Sequence, residues 1–181
     1  MCGNVTCNRQ AALKKGSVLG DWMRGLPAIQ KEADTIFIHA GMTNLANVER
    51  SIEDLNEEIA IFLQQDQPHT VYDDLIWDRD LVQNAFDGKT GSCELVDDIL
   101  DGLGNDNTRL IIGHTTVYSL DAKATYPSEP MSLCAGALLD VDVGASRWMR
   151  NSPANVRLEV EDGKTVSMTT IHTTPGIMLP Y

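Results

Sequence analysis

Basic residues are scarce in this chain: 14 Lys and Arg stand against 26 Asp and Glu, a formal charge of −12 over 181 residues. Nucleic-acid binding draws on clustered cations that displace counterions from phosphates, so this balance argues against a nucleic-acid partner. It argues equally against docking on an anionic membrane surface. Long apolar runs are also missing, and none approaches the roughly 20 residues that a membrane-spanning helix needs. There are only four cysteines, Cys2, Cys7, Cys93 and Cys134, too few for a disulfide scaffold and without a C-x-x-C pair. Reduced thiols in an intracellular, cytoplasmic protein are the expectation. Cys2 and Cys7 have no second pair to complete a tetrahedral metal set. The opening residues Met1 to Cys7 lack the charged-then-apolar pattern of a secretory signal.

What the chain does hold is enough apolar material for one domain over residues 1–181. Its 43% hydrophobic and 22% charged residues are the balance of a folded protein with a core. Ser17 is placed to cap a short helix that stops before Pro27. Thr35-Ile36-Phe37-Ile38 reads as a buried strand. Ser51 opens the clearest helix, in which Ile52, Leu55, Ile59, Phe62 and Leu63 recur at helical spacing. After a polar break containing Pro68, the run Leu75-Ile76-Trp77 leads into the alternating charges Asp78-Arg79-Asp80.

Ser92 is expected to cap a second helix that reaches Leu103 and ends at Gly104. Arg109 to Ile112 is a second buried strand, 121–130 a loop, and Ala135 to Val143 a third strand. Val156, Leu158 and Val160 alternate with charged residues, Asp162-Gly163 makes a two-residue turn, and Val166 and Met168 continue the pattern back. Strands alternating with helices, followed by a meander, predict an α/β sandwich with mixed sheets.

Two histidines stand where strands are expected to end: His39 in Ile38-His39-Ala40-Gly41 and His114 in Ile112-Gly113-His114-Thr115. A buried strand running into a small, flexible turn delivers a side chain to the mouth of a sheet, and imidazole is the commonest protein ligand of catalytic divalent metals. The pair is therefore a candidate half of a metal site. Arg79 is a third candidate, because guanidinium presents paired planar donors that match two phosphate oxygens. Flanking Asp78 and Asp80 allow a plain surface charge cluster instead. Asp142-Val143-Gly144 is another strand-ending turn that can bring an acid near the site, whereas His69 and His172 have no supporting pattern.

Taken in order, these segments resemble the C-terminal half of calcineurin-like metallophosphoesterases, specifically the Shewanella-like branch of phosphoprotein phosphatases. Ala11 to Arg24 resembles the stretch that precedes that branch's His-Gly/Ala-Gly strand, and Asp34 to Met42 the strand itself. Leu75 to Asp80 is similar to its Leu-Trp-x-Arg-Asp element, Ile111 to Thr115 to its Val-Val-Gly-His-Thr, and Leu139 to Ser146 to its Ile-Asp-Val-Gly-x-Ser. The likeness runs from about Gln10 to Thr170. It implies a partial calcineurin-like α/β/β/α sandwich that hydrolyses phosphate monoesters of a protein or a small molecule. It further implies two divalent ions (Mn, Fe or Zn), one held by His39 and His114, and a phosphate gripped by Arg79.

The chain departs from that pattern in its first part. No segment matches the family's Gly-Asp-x-His-Gly or Gly-Asp-x-x-Asp-Arg-Gly, and Gly3-Asn4-Val5-Thr6 carries Val5 where Gly-Asn-His-Glu has its histidine. The resemblance thus makes this chain an incomplete, C-terminal portion of the domain. Two neutral imidazoles bring no charge to offset the repulsion between two dications, so little turnover is expected of the chain alone. The alternative is a non-catalytic binding or scaffold module of phosphatase-like shape.

Overall fold

The computed structural model describes residues 9–65, 70–121, 123, 129–144 and 154–172. At its centre is a five-stranded mixed sheet in the order β1-β2-β3-β5-β4, built from β1 (Ile29–Glu32), β2 (Thr35–Ile38), β3 (Arg109–Ile112), β4 (Met131–Leu133) and β5 (Leu138–Asp140). The inner strands β2, β3 and β5 run parallel, while β1 and β4 close the edges antiparallel. Apolar residues on both faces explain this arrangement: Ile36, Ile38, Leu110, Ile112 and Leu138 join the helix-side core, and Ile111 and Leu139 are buried on the other side.

Between β2 and β3 lie α3 (Leu45–Val48), α4 (Ile52–Gln65), α5 (Thr70–Tyr72), a π-turn (Asp73–Trp77), α6 (Asp80–Phe86) and α7 (Ser92–Gly102). Ser51 caps α4 as its sequence suggests, its hydroxyl accepting from Asp54 N at 3.0 Å. Leu55 and Ile59 of that helix, with Val96, Ile99 and Leu100 of α7, are buried against the sheet. Ahead of β1 lie α1 (Arg9–Ala12) and α2 (Val18–Arg24); Ser17 caps the latter, accepting from Gly20 N at 3.0 Å.

An antiparallel hairpin, β6 (Ala154–Glu161) and β7 (Lys164–His172), forms a second sheet. Asp162 and Gly163 form its turn, with φ of 50° and 73°, as the Asp-Gly pair predicts. Asp34 ties the hairpin to the main sheet by accepting from Thr165 N at 3.0 Å, Thr165 Oγ1 at 2.8 Å and Thr108 Oγ1 at 2.9 Å. Burial pushes the Asp34 carboxyl up, but these bonds outweigh it and hold the group below its usual value.

Several expectations need correction. Ser92 does not cap α7: the N-cap is Gly91, with φ of 84°, and the Ser92 hydroxyl instead donates to Lys89 O at 2.7 Å. The strand expected over Ala135 to Val143 shrinks to Leu138–Asp140, because Cys134–Gly136 winds into a 3-10 turn. Beside that turn Met131–Leu133 forms the edge strand β4, whose apolar-polar-apolar alternation is only three residues long and does not stand out in sequence. Strand β1 leaves no clear sequence signal, being a short edge strand with polar Gln30, Lys31 and Glu32, whereas helix α6 is a further element in which Leu81, Val82 and Ala85 are buried at helical spacing.

The thiols differ as well. Cys93 and Cys134 form a disulfide rather than the expected reduced pair, their Cα atoms 5.3 Å apart. Two cysteines far apart in sequence give no sign of meeting until the fold brings α7 beside the β4–β5 turn. No described helix is long and apolar enough to cross a membrane.

Candidate functional site

The carboxyl ends of three adjacent parallel strands converge. From β2 the chain passes Ile38 to His39, from β3 Ile112 to His114, and from β5 Asp140 to Asp142. Ligands in open α/β sheets commonly sit outside such strand ends. The His39 and His114 rings lie in contact, with centroids 5.1 Å apart and planes at 58°. Gly113 holds the two turns together, donating from N to His39 O at 2.9 Å.

His114 adopts a left-handed backbone with φ of 65°, a conformation that non-glycine residues rarely hold without compensation and that gathers at functional sites. Its ring packs edge-on against Trp77 at 5.3 Å. Its Nε2 is buried and meets no hydrogen-bond partner among the described residues. Burial, reinforced by the positive charge of Arg79 and by His39, lowers the His114 pKa, while Asp142 pulls it the other way. These influences favour the neutral imidazole, the form that a metal accepts. His39 is exposed at the rim.

Arg79 reaches this rim through a local network. The π-turn Asp73–Trp77 is anchored at its start by buried Asp74, which accepts from Thr43 N at 2.8 Å, Asn44 N at 3.1 Å and Asn47 Nδ2 at 2.7 Å. Leu75 O accepts from Ala40 N at 3.0 Å, one residue beyond His39. The turn thus clasps the loop leaving β2, and π-turns of this kind recur at functional positions. Asp78 then accepts from Asp80 N at 2.7 Å, starting α6 and leaving exposed Arg79 between them. The resulting cleft, about 480 Å³, is lined by Thr43, Asn44, Trp77, Arg79 and the four acids Asp73, Asp74, Asp78 and Asp80, with the histidine pair outside it.

Two carboxyls nearby are unusual. Asp78 has a buried, unpartnered Oδ2, and burial together with the charges of Asp74 and Asp80 pushes its pKa up. Asp140 is fully buried on the same face of β5 as Leu138; its Oδ1 accepts from Asp142 N at 3.0 Å while Oδ2 has no partner. Burial, and secondarily the charge of Asp142, pushes Asp140 up to about 8. It is thus a neutral acid at pH 7.

His39, His114 and Arg79 are therefore brought to one rim, with Arg79 within electrostatic reach of His114. His69 lies outside the described residues, and His172 ends β7 in the separate hairpin. Sequence reasoning missed the parts played by Trp77, Asp74 and Asp140. Of these, Asp140 had a readable signal, an acid inside an otherwise apolar strand. Two imidazoles suit one divalent ion, but among the described residues no three His, Cys, Asp or Glu side chains group closely enough to hold a metal. The residues present do not fit a dinuclear centre. Comparison with protein-family models, curated proteins and solved structures found no match to this chain.

Proposed function

We propose that the protein is a metal-dependent phosphoesterase of calcineurin-like architecture, acting on phosphate monoesters in the manner of a phosphoprotein phosphatase. The observation that carries this reading is the contact of the His39 and His114 rings at the carboxyl ends of neighbouring parallel strands. Arg79 on the adjoining cleft supplies the phosphate-gripping cation that such a reaction requires. His39 and His114 would be the residues to hold one divalent ion, and such an ion would supply Lewis-acid chemistry toward a phosphoryl oxygen. Arg79 binds the remaining phosphoryl oxygens and offsets charge that develops on them. Trp77 fixes the His114 ring by its edge contact.

A bridging carboxylate and a histidine to protonate the leaving group have no counterpart in the described site, so turnover by this chain is low. Titration calorimetry with Mn²⁺ and with Zn²⁺ is expected to detect one weak site that both His39→Ala and His114→Ala abolish. Inorganic phosphate binding is expected to fall with Arg79→Ala. Metal affinity unchanged in both histidine variants would refute the reading, and fast manganese-dependent hydrolysis of an aryl phosphate would refute its low-turnover component.

A second reading, a non-catalytic phosphatase-like binding or scaffold module, is favoured by the lack of any three-ligand group among the described residues. It predicts thermal stability indifferent to Mn²⁺, whereas a native-state ligand raises stability by mass action.

A further inference from the structure

The Cys93–Cys134 bond joins a helix to a short segment at the edge of the sheet. Cys93 lies in the first turn of α7, and Cys134 opens the turn between β4 and β5. That turn holds three successive residues in left-handed backbone, Cys134 at φ 49°, Ala135 at 53° and Gly136 at 96°. Only the glycine adopts this conformation without a steric penalty. Strand β4 has just three residues and lies at the sheet edge; Ser132 is exposed, and Met131 and Leu133 are only partly buried where they pack against the core. Short, partly exposed edge elements are among the segments that open locally while the rest of a fold stays closed. By contrast, β5 is held on its other side by β3, in the register Leu110↔Leu138 to Ile112↔Asp140.

We propose that the Cys93–Cys134 disulfide is a redox-operated clamp that holds the edge strand β4 closed along the outer side of β5. The bond supplies from α7 the restraint that the turn cannot supply itself. Both sulfurs belong to half-buried residues, within reach of a small reductant. A dithiol is the required class of co-reactant. One of its thiolates attacks a sulfur of the pair, breaking the S–S bond and leaving a mixed disulfide; its second thiol then displaces the bound cysteine. Two electrons and two protons end on Cys93 and Cys134 as thiols, and the dithiol departs as a cyclic or linked disulfide. With the clamp released, the turn leaves its left-handed backbone and β4 separates. Because Met131 pairs with Asp140, this opens the outer side of the strand that leads to Asp142 and the candidate site.

The test uses the full chain. Peptide-level alkylation is expected to modify Cys93 and Cys134 only after dithiothreitol treatment. Hydrogen exchange on the reduced protein is then expected to accelerate at Met131–Leu133 by more than roughly tenfold, with β2 and β3 protected as before. The double variant Cys93→Ser, Cys134→Ser is expected to reproduce this without reductant, and Ala135→Gly, which relieves the turn, to shrink the acceleration several-fold. Alkylation of both thiols before reduction would overturn the proposal. So would unchanged exchange in β4, or loss of protection in β2 and β3 together with it, which would mark the bond as a staple of the whole fold.

Discussion

Asp140→Asn isolates the energetic consequence of burying an acid in the core. The Asp140 carboxyl keeps its proton up to about pH 8 in the folded chain, against an ordinary value of 3.8. Between those values the native state binds a proton that the unfolded state has released. Its folded pKa is raised, so the favourable contribution is complete below about pH 3.8 and is lost progressively as pH climbs towards 8. Each unit corresponds to about 1.4 kcal/mol, so raising pH from about 4.5 to about 7.5 weakens the wild type by up to about 4 kcal/mol through this one group.

Asparagine is nearly isosteric, keeps an oxygen to accept from Asp142 N, and does not ionise. Any cost of its unpartnered amide is the same at both pH values and cancels in the comparison. Urea denaturation of both proteins at the two pH values is expected to show the variant gaining about 4 kcal/mol relative to wild type on going to the higher pH. In thermal melts the same gain is a swing of about 10 °C for a chain of this size. Other titrating groups, His114 and Asp78 among them, are common to both proteins and drop out of the difference. A relative change below about 1 kcal/mol would show that Asp140 is solvated or paired in solution and would refute the reasoning.

Three other perturbations test named contacts. Asp34→Ala removes the acceptor shared by Thr108 and Thr165 and is expected to cost about 2–4 kcal/mol, with exchange in β6 and β7 rising before that in β2. Gly41→Ala places a Cβ 2.7 Å from Asp78 Oδ2 and 3.2 Å from Leu81 Cβ. It is expected to displace the Asp78–Arg79 segment and weaken inorganic phosphate binding about tenfold by calorimetry, since small misplacements at a site are costly. Gly102→Ala brings a Cβ within 2.1 Å of the Val48 carbonyl oxygen and is expected to cost about 1–3 kcal/mol in urea melts.

The elements that can be read in sequence are those whose signal is local. Thr35–Ile38 and Arg109–Ile112 are buried strands of apolar and β-branched residues, and their bounds match the structure. Caps such as Ser17 and Ser51 act within three residues and are equally plain. The elements that escape depend on distant partners. Strand β4 exists because β5 pairs with it, and the disulfide because α7 packs close by. For the site, strand ends announce both histidines, but only the fold shows them to be neighbours. The clasp of Asp74 on the loop after β2 rests on side-chain bonds spanning about 30 residues, which no local pattern encodes.

The parallel pairing of β2 with β3 sets Thr35 beside Arg109, so the whole helical stretch from α3 to α7 must fit within one crossover. Joining chain ends so far apart carries an entropic cost of about 4 kcal/mol, which is recovered only once the strands meet. Folding is therefore expected to begin with the locally encoded helices α4 and α7 and to finish with the docking of β3. The histidine pair would then be among the last features to assemble and, on partial unfolding, among the first to come apart.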